Sequence, residues 1–302
     1  MKVSELIKKH LGENVITYKE CDVETLGLVV SNVEKTFCSF VESAKYLEEI
    51  PDTLKMVLVT QEVFETVDFD KIQVGACIVK NPRLTYFKLH NALEFDCEYV
   101  RDTFKTRIGD NCKISDMSSI APRNVIIGDN VVIEEFVVIR ENTVIGDNCT
   151  IRSGAKIGGT DFEFKRENDS IFGVKHYGGV IIGDNVEVQY NSGINKALYP
   201  WDDTIIGDNS KIDMLVHIAH GVKIGKSCMV VANSGIGGRT IVGDNSWIGF
   251  GSTVKNGLIL GENVRVNMGA VVTKSVNKGE SVTGNFAIEH SKFIENMKKA
   301  VL

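Results

Sequence analysis

The chain has 302 residues, 43% of them hydrophobic and 25% charged, with a formal net charge of −6. This length holds about two domains of ordinary globular composition. The acid excess leaves no basic footprint for nucleic acid, and no run approaches the ~18 apolar residues of a membrane span.

Read from the start, residues 3–11 carry a helical pattern, and the apolar runs 26–30, 56–60 and 75–79 read as strands. Asn81-Pro82 is a turn signal, and residues 84–93 read as the helix that follows it. Residues 1–100 are therefore expected to form a small α/β domain. No apolar stretch follows a basic start, so no secretory signal is expected. The seven cysteines, Cys21, Cys38, Cys77, Cys97, Cys112, Cys149 and Cys228, show no CxxC spacing. Their odd number favours reduced thiols and a cytoplasmic location, with no metal site among them.

Residues 101–285 carry a different signal. Every sixth residue from Ile206 to Val272 is aliphatic: Ile206, Ile212, Ile218, Ile224, Val230, Ile236, Val242, Ile248, Val254, Leu260, Val266, Val272. The same beat runs through Ile108, Ile114 and Ile120, from Ile127 to Ile157, and through Ile182, Val188 and Ile194. A period of six fits neither the 3.6 of a helix nor the 2 of a half-buried strand. It fits short strands joined by tight turns, three to a coil, each placing one aliphatic inward. Stacked coils then bury a continuous column and hydrogen-bond only to their neighbours. Gly-Asp-Asn follows many of these aliphatics, as at Gly128-Asp129-Asn130 and Gly207-Asp208-Asn209, and suits corners that need positive φ. Residues 286–302 (Phe286, Ile288, Phe293, Ile294 and Met297 being apolar) read as a helix that can cap the open end of the array.

Residues 158–180 and 195–205 break the beat, and loops that interrupt a strict repeat are common places for ligand contacts. The first is expected to be a polar loop.

The segments Gly179-Val-Ile-Ile-Gly-Asp-Asn and Val216-His-Ile-Ala-His-Gly-Val-Lys-Ile-Gly225, with Phe40-Val-Glu-Ser-Ala-Lys-Tyr46 and Asn81-Pro-Arg-Leu-Thr-Tyr-Phe-Lys-Leu, resemble the left-handed β-helix acyltransferases. Within them the likeness is to the UDP-3-O-acylglucosamine N-acyltransferases. The resemblance implies the left hand of the coil, a homotrimer with sites between adjacent solenoids, and no permanently bound cofactor. It also implies His220 as general base, and Phe40 and Tyr46 against a nucleotide base, with Ser43 where the family carries an Asn. An imidazole of near-neutral pKa suits removal of the amine proton during attack on a thioester, a step worth ~10²–10⁴ in rate. Backbone N–H groups at coil turns are expected to supply the oxyanion donors.

Asp161, Phe162, His176, Lys196, His217 and Asn233 are candidate substrate contacts. On the residues alone, His176 is more simply a solvated loop histidine, His217 a hydrogen-bonding residue, and Phe40 and Tyr46 core aromatics. Lys255, Arg265, Lys274 and Lys278 are scattered surface cations with no individual role.

The chain departs from the family pattern at four places. Ser43 replaces the Asn, Asn256-Gly257-Leu258 stands where a second histidine is found, Lys196 replaces an Arg, and the C-terminal extension is short. A lysine does not reproduce the arginine fork, so anion recognition near Lys196 should differ. The expected activity is N-acylation of a nucleotide-linked amino sugar for a surface glycan, from acetyl-CoA or another acyl-CoA. The lipid A enzyme with an acyl carrier protein donor is the alternative, and a non-catalytic nucleotide-sugar-binding β-helix protein is the third.

Overall fold

The structure, a computed structural model, describes residues 1–284 and 287–301. Strands β1 (Ile16–Tyr18), β2 (Thr25–Leu26), β3 (Phe37–Phe40), β4 (Leu54–Val59) and β5 (Gly75–Ile78) form one sheet in the order β1-β5-β4-β3-β2. Only β1 runs antiparallel to its neighbour. Along β4, Met56 and Leu58 enter one buried cluster with helices α1 (Val3–Leu11) and α4 (Pro82–Ala92). Val57 and Val59 enter another with Val63 and Phe69, from helices α2 (Gln61–Thr66) and α3 (Phe69–Ile72). A strand covered on both faces reads as a continuous apolar run, and that is how it could be recognised. The Asn81 side chain accepts from Leu84 N–H at 3.1 Å, with Pro82 just inside the start, which fixes where α4 begins. Two expectations change. Of the run 26–30 only Leu26 is strand, as the end of β2, and β1 and β3 add strands the pattern did not announce.

The repeats close into a three-faced, left-handed parallel β-helix. Its sheets have nine, eight and eight strands. The first face starts at Lys113–Ile114, the second at Ser119–Ile120 and the third at Arg107–Ile108. Residues eighteen apart stack in register: Ile206 on Ile224 on Val242 on Leu260, and Ile212 on Val230 on Ile248 on Val266. These side chains make one unbroken buried column.

The corner between the third and first faces shows why Gly-Asp-Asn recurs. Asn111, Asn130, Asn148, Asn185, Asn209 and Asn245 all take φ of 55–62°, the left-handed region that Asn tolerates. From Asp129 to Asp208 each Asp carboxylate accepts the N–H of the Asp one coil earlier, as Asp129 does from Asp110 at 2.7 Å and Asp147 from Asp129 at 2.8 Å, and Asp244 accepts that of Lys226 at 2.8 Å. Inside the same corner a small donor bonds a glycine carbonyl of the next coil: Cys149 to Gly183 at 3.0 Å, Cys228 to Gly243 at 3.2 Å, Ser210 to Gly225 at 2.9 Å. Cysteine and serine alternate in one structural role.

Neither interruption is a simple loop. Residues 158–180 contain an antiparallel hairpin, Phe164–Glu167 against Ser170–Gly173. The chain then returns along α4, where His90 Nε2 lies 2.8 Å from Lys175 O and Lys175 N–H donates to Asn91 Oδ1 at 2.9 Å. Residues 195–205 fasten the two domains together. Ala197, Leu198 and Tyr199 are buried, and Tyr199 stacks on Trp201 with ring centroids 5.4 Å apart. Trp201 donates to Leu26 O at 2.8 Å, and the Tyr199 hydroxyl lies 3.1 Å from that of Tyr86. The final helix α5 (His290–Val301) is exposed at every position from 290 to 299, so it does not cap the last coil as the pattern suggested. Phe286 and Leu302, assigned to that helix from the sequence, lie outside the described residues.

Candidate active site

His220 follows the second-face strand His217–Ile218, at the corner leading to the third face. The first interruption folds back over this corner and delivers Asp161. Asp161 Oδ2 lies 2.6 Å from His220 Nδ1 and accepts the His220 backbone N–H at 2.9 Å. The other oxygen accepts from Phe162 N–H at 2.8 Å and Asn195 Nδ2 at 3.1 Å. Burial alone would raise the Asp161 pKa, but the ring and backbone hydrogen bonds from His220 and that from Phe162 hold it well below the usual carboxylate range. An ionised acceptor at Nδ1 makes Nδ1 the protonated nitrogen and leaves the Nε2 lone pair as the basic site.

Gly238, one coil further, packs on this imidazole. A Cβ there would meet His220 Cε1 at 2.5 Å, so only glycine lets the next coil approach. Its neighbour Arg239 sits in the left-handed region at φ 60° and donates its N–H to His220 O at 2.9 Å. A long side chain held there is strain of the kind found at functional sites. Glu163 Oε2 lies 4.0 Å from His220 Nε2. Burial raises the Glu163 pKa, but the hydrogen bond and charge of Lys165 outweigh it and keep the carboxyl below its ordinary range.

Arg239, Glu163 and Lys165 also line a cleft of about 440 Å³ between the domains, with Phe40, Tyr46, Arg83 and Phe87 among its other walls. Phe40 leans on Tyr86 and Phe87 at 5.0 and 5.6 Å, so one face is packed and the rest borders the cleft. Tyr46 is 47% exposed at the rim, with Lys45 over its ring. Ser43 lines a different cavity, with Thr60, Lys80 and Asn81.

The remaining candidates separate. His217 is exposed, with Nε2 3.8 Å from Asp161 Oδ1. Phe162 is 87% exposed and pairs with Phe164 at 4.8 Å. Asn233 occupies the corner between the first and second faces at φ 59°, where it makes the turn and donates its N–H to Met214 O. Lys196 lines a separate groove that adjoins the Asp161 segment at Thr160.

His176 is the clearest correction. It is buried rather than solvated, with its ring 5.9 Å from that of His220 in an edge-to-face arrangement. Its Nδ1 lies 3.0 Å from Val174 O, and its buried Nε2 has no partner among the described residues. Burial first, and the charge of His220 second, push its pKa down to about 4. Arg239, Glu163, Lys165 and Gly238 were not singled out from the sequence. The usable signals were the Gly237-Gly238 doublet and an Arg at a corner position that Gly or Asn usually fills.

The bacterial transferase hexapeptide family (six repeats) matches residues 124–159 and 203–238, and the hexapeptide repeat of succinyl-transferase matches 239–274. A UDP-3-O-acylglucosamine N-acyltransferase of Caulobacter sp. (strain K31) is 39% identical over 95 residues, 32% of this chain and 27% of that protein. One of Rickettsia akari (strain Hartford) is 45% identical over 31% of this chain and 26% of that protein. The match thus spans about a quarter of the length of these curated relatives. Among solved structures, an Arabidopsis UDP-N-acetylglucosamine acyltransferase is 28% identical with a TM-score of 0.53, covering 60% of this chain and 62% of that one. A Campylobacter jejuni UDP-N-acetylglucosamine acyltransferase, 22% identical at a TM-score of 0.54 over 65% and 79% of the two chains, shares the fold. The β-helix of this chain is similar to that of the hexapeptide-repeat transferases, and part of it resembles UDP-3-O-acylglucosamine N-acyltransferase.

Proposed function

We propose that this protein is an N-acyltransferase that moves an acyl group from a thioester donor to the amine of a nucleotide-linked amino sugar. The observation that carries the reading is the Asp161–His220 pair, flanked by Glu163 and Arg239, which line a cleft with Phe40, Tyr46, Arg83 and Lys165. Phe40 and Tyr46 offer rings to a planar base, and Arg83 and Arg239 offer charge to a diphosphate, Lys165 being paired with Glu163. The substrate amine would give its proton to His220 Nε2 as its nitrogen attacks the thioester carbonyl. Asp161 holds Nδ1–H and stabilises the imidazolium that forms. The proton then leaves from Nε2 with the departing thiolate. Gly238 packs on the ring of His220, and its N–H has no hydrogen bond among the described residues, which fits a donor to the developing oxyanion.

An acyl-CoA donor and a surface-glycan product are the preferred form of this reading, supported by the missing second histidine at 256–258. The names of the curated relatives favour the second form, the lipid A enzyme with an acyl carrier protein donor. Assembly as a homotrimer is supported by an apolar column at the corner between the first and second faces. Met117, Phe136, Tyr190, Leu215, Phe250 and Met268 are all exposed there. Phe136 and Leu215 hold φ of 60° and 57°, a conformation costing roughly 1–2 kcal/mol per residue with no local return. Thioester donors and seven unpaired cysteines fit a reducing cytoplasm. No helix among the described residues is long and apolar enough to cross a membrane.

A mass-spectrometric transfer assay decides among these forms. It pairs UDP- and dTDP-amino sugars and 3-O-acylated UDP-glucosamine with acetyl-CoA, longer acyl-CoAs and 3-hydroxyacyl carrier protein. The expected result is product from an acyl-CoA, lost by ~10²–10⁴ in His220→Ala. Product only from the 3-O-acylated sugar and carrier protein selects the lipid A form. Nucleotide-sugar binding without any transfer means that the site binds and does not catalyse.

A further inference from the structure

Separate from the cleft that holds Phe40 and Arg239, and sharing no lining residue with it, lies a larger groove of about 800 Å³, which no step above uses. Its floor and walls are the second-face edges of three successive coils, including Ala121, Pro122 and Val138, and it ends at Gly159, Thr160 and Lys196. Two cations line it without a partner of their own. The Arg140 guanidinium and the Lys196 ammonium make no hydrogen bond or ion pair among the described residues. Lys156, a third lining residue, is already engaged by the carbonyls of Phe136 and Gly154.

Lys196 is only partly exposed. Burial, together with the charges of Arg101 and Arg140, disfavours its ammonium, and Glu141 is the carboxylate that favours it. Arg101 is itself neutralised by Asp203 at 2.8 Å. The groove therefore holds two unpaired cations against one carboxylate. A half-buried cation without a counter-ion is costly, and an arriving anion removes that cost. The lining is aliphatic away from these groups, so a bare inorganic ion would use only one end of it. The position is fixed relative to the chemistry, because Thr160 precedes Asp161 and Lys196 follows Asn195, which bonds Asp161.

We propose that this groove is a second substrate subsite that takes an organic anion, a carboxylate or phosphate carried on an aliphatic or sugar framework, with Lys196 and Arg140 as its ligands. The group sits within one residue of the Asp161 segment, so the anion belongs to a substituent of a reacting molecule.

The test is direct binding to the full-length protein, followed by amide NMR shifts or calorimetry, and it needs no turnover. The probes are glutarate, hexanoate, hexyl phosphate, inorganic phosphate and, as the uncharged control, hexanol. Glutarate, hexanoate or hexyl phosphate is expected to bind, with inorganic phosphate weaker and hexanol without effect. Lys196→Met and Arg140→Gln should each weaken binding by roughly tenfold or more, and Lys196→Arg should keep it. A preference for the carboxylates over hexyl phosphate, or the reverse, identifies the source of the charge. Equal affinity in wild type and both variants overturns the subsite. So does a fall in oligomeric state in Lys196→Met with no anion binding in the wild type, which would assign the cations to a subunit contact. A protein that binds these anions yet transfers no acyl group would keep the subsite while the proposed activity fails.

Discussion

The regular coils and the two segments that interrupt them do opposite work. From residue 206 to residue 272 every sixth side chain is buried and coil stacks on coil in register, with His220, Gly238 and Arg239 the departures that face the first interruption. Residues 158–180 and 195–205 break that regularity and supply nearly everything particular to this molecule. Asp161 and Glu163 reach His220, Tyr199 and Trp201 lock the domains, and Asn195 and Lys196 border both the pair and the groove. A repeat gives stiffness cheaply but makes all positions equivalent. An exception to the repeat is what makes one corner different from the others.

That contrast can be broken experimentally. The largest effect on stability should come from the regular part: Ile212→Ala, in a column position with no exposure, should cost roughly 2–5 kcal/mol in chemical denaturation. A cost below 1 kcal/mol would mean that the column is not what holds the coils. Asp161→Asn should behave in reverse. Its Tm should move by a few degrees at most while kcat falls about a hundredfold or more, because the group that orients Nδ1–H has lost its charge. Loss of fold in this variant would show the first interruption to be structural.

Acid should act on the interrupted side. His176 and His90 both have pKa values pushed down to about 4 by burial, from 6.5 in the unfolded chain. The unfolded chain then binds more protons between these values, so stability is full above pH 6.5 and declines as pH falls toward 4, by up to about 3 kcal/mol for each histidine. Asp161, depressed by its hydrogen bonds, adds a loss in the same direction at lower pH. Thermal melts between pH 7 and pH 4 should show this slope, and His176→Gln should flatten it. The smallest effect belongs to a single corner. Asn209→Ala, at φ 62°, should cost about 1 kcal/mol by the left-handed strain it introduces. A neutral result would show the corner relaxing into another turn.

The β-helix was legible because its signal is redundant. One inward side chain per short strand must be aliphatic, and each corner needs a residue that accepts positive φ, so the same statement is written many times. His220, the proposed base, was singled out through its Ile-Ala-His context. What could not be read depends on contacts between segments far apart in the chain. His176 is buried because Lys175 and Tyr177 are tied to α4, where the Tyr177 hydroxyl donates to Asn91 O at 3.0 Å, some 86 residues away in sequence. Asp161 was found as a polar loop residue, but its pairing with His220 exists only once the hairpin folds back. Strand β3, with three of its four residues buried and a mixed Phe-Cys-Ser-Phe run, offers no alternation to read.

The aspartate ladder also makes the solenoid a graduated rod. Each corner carboxylate binds the coil before it, and every coil is eighteen residues long where the register is strict, as from Ile206 to Ile224 to Val242. Duplicating eighteen residues beyond the Gly238–Arg239 coil would therefore keep the strands in register. It would shift helix α5 along the axis by one strand spacing, about 4.8 Å, and leave the site untouched. The reach between the reacting corner and the tail is thus adjustable in fixed steps, independently of the chemistry.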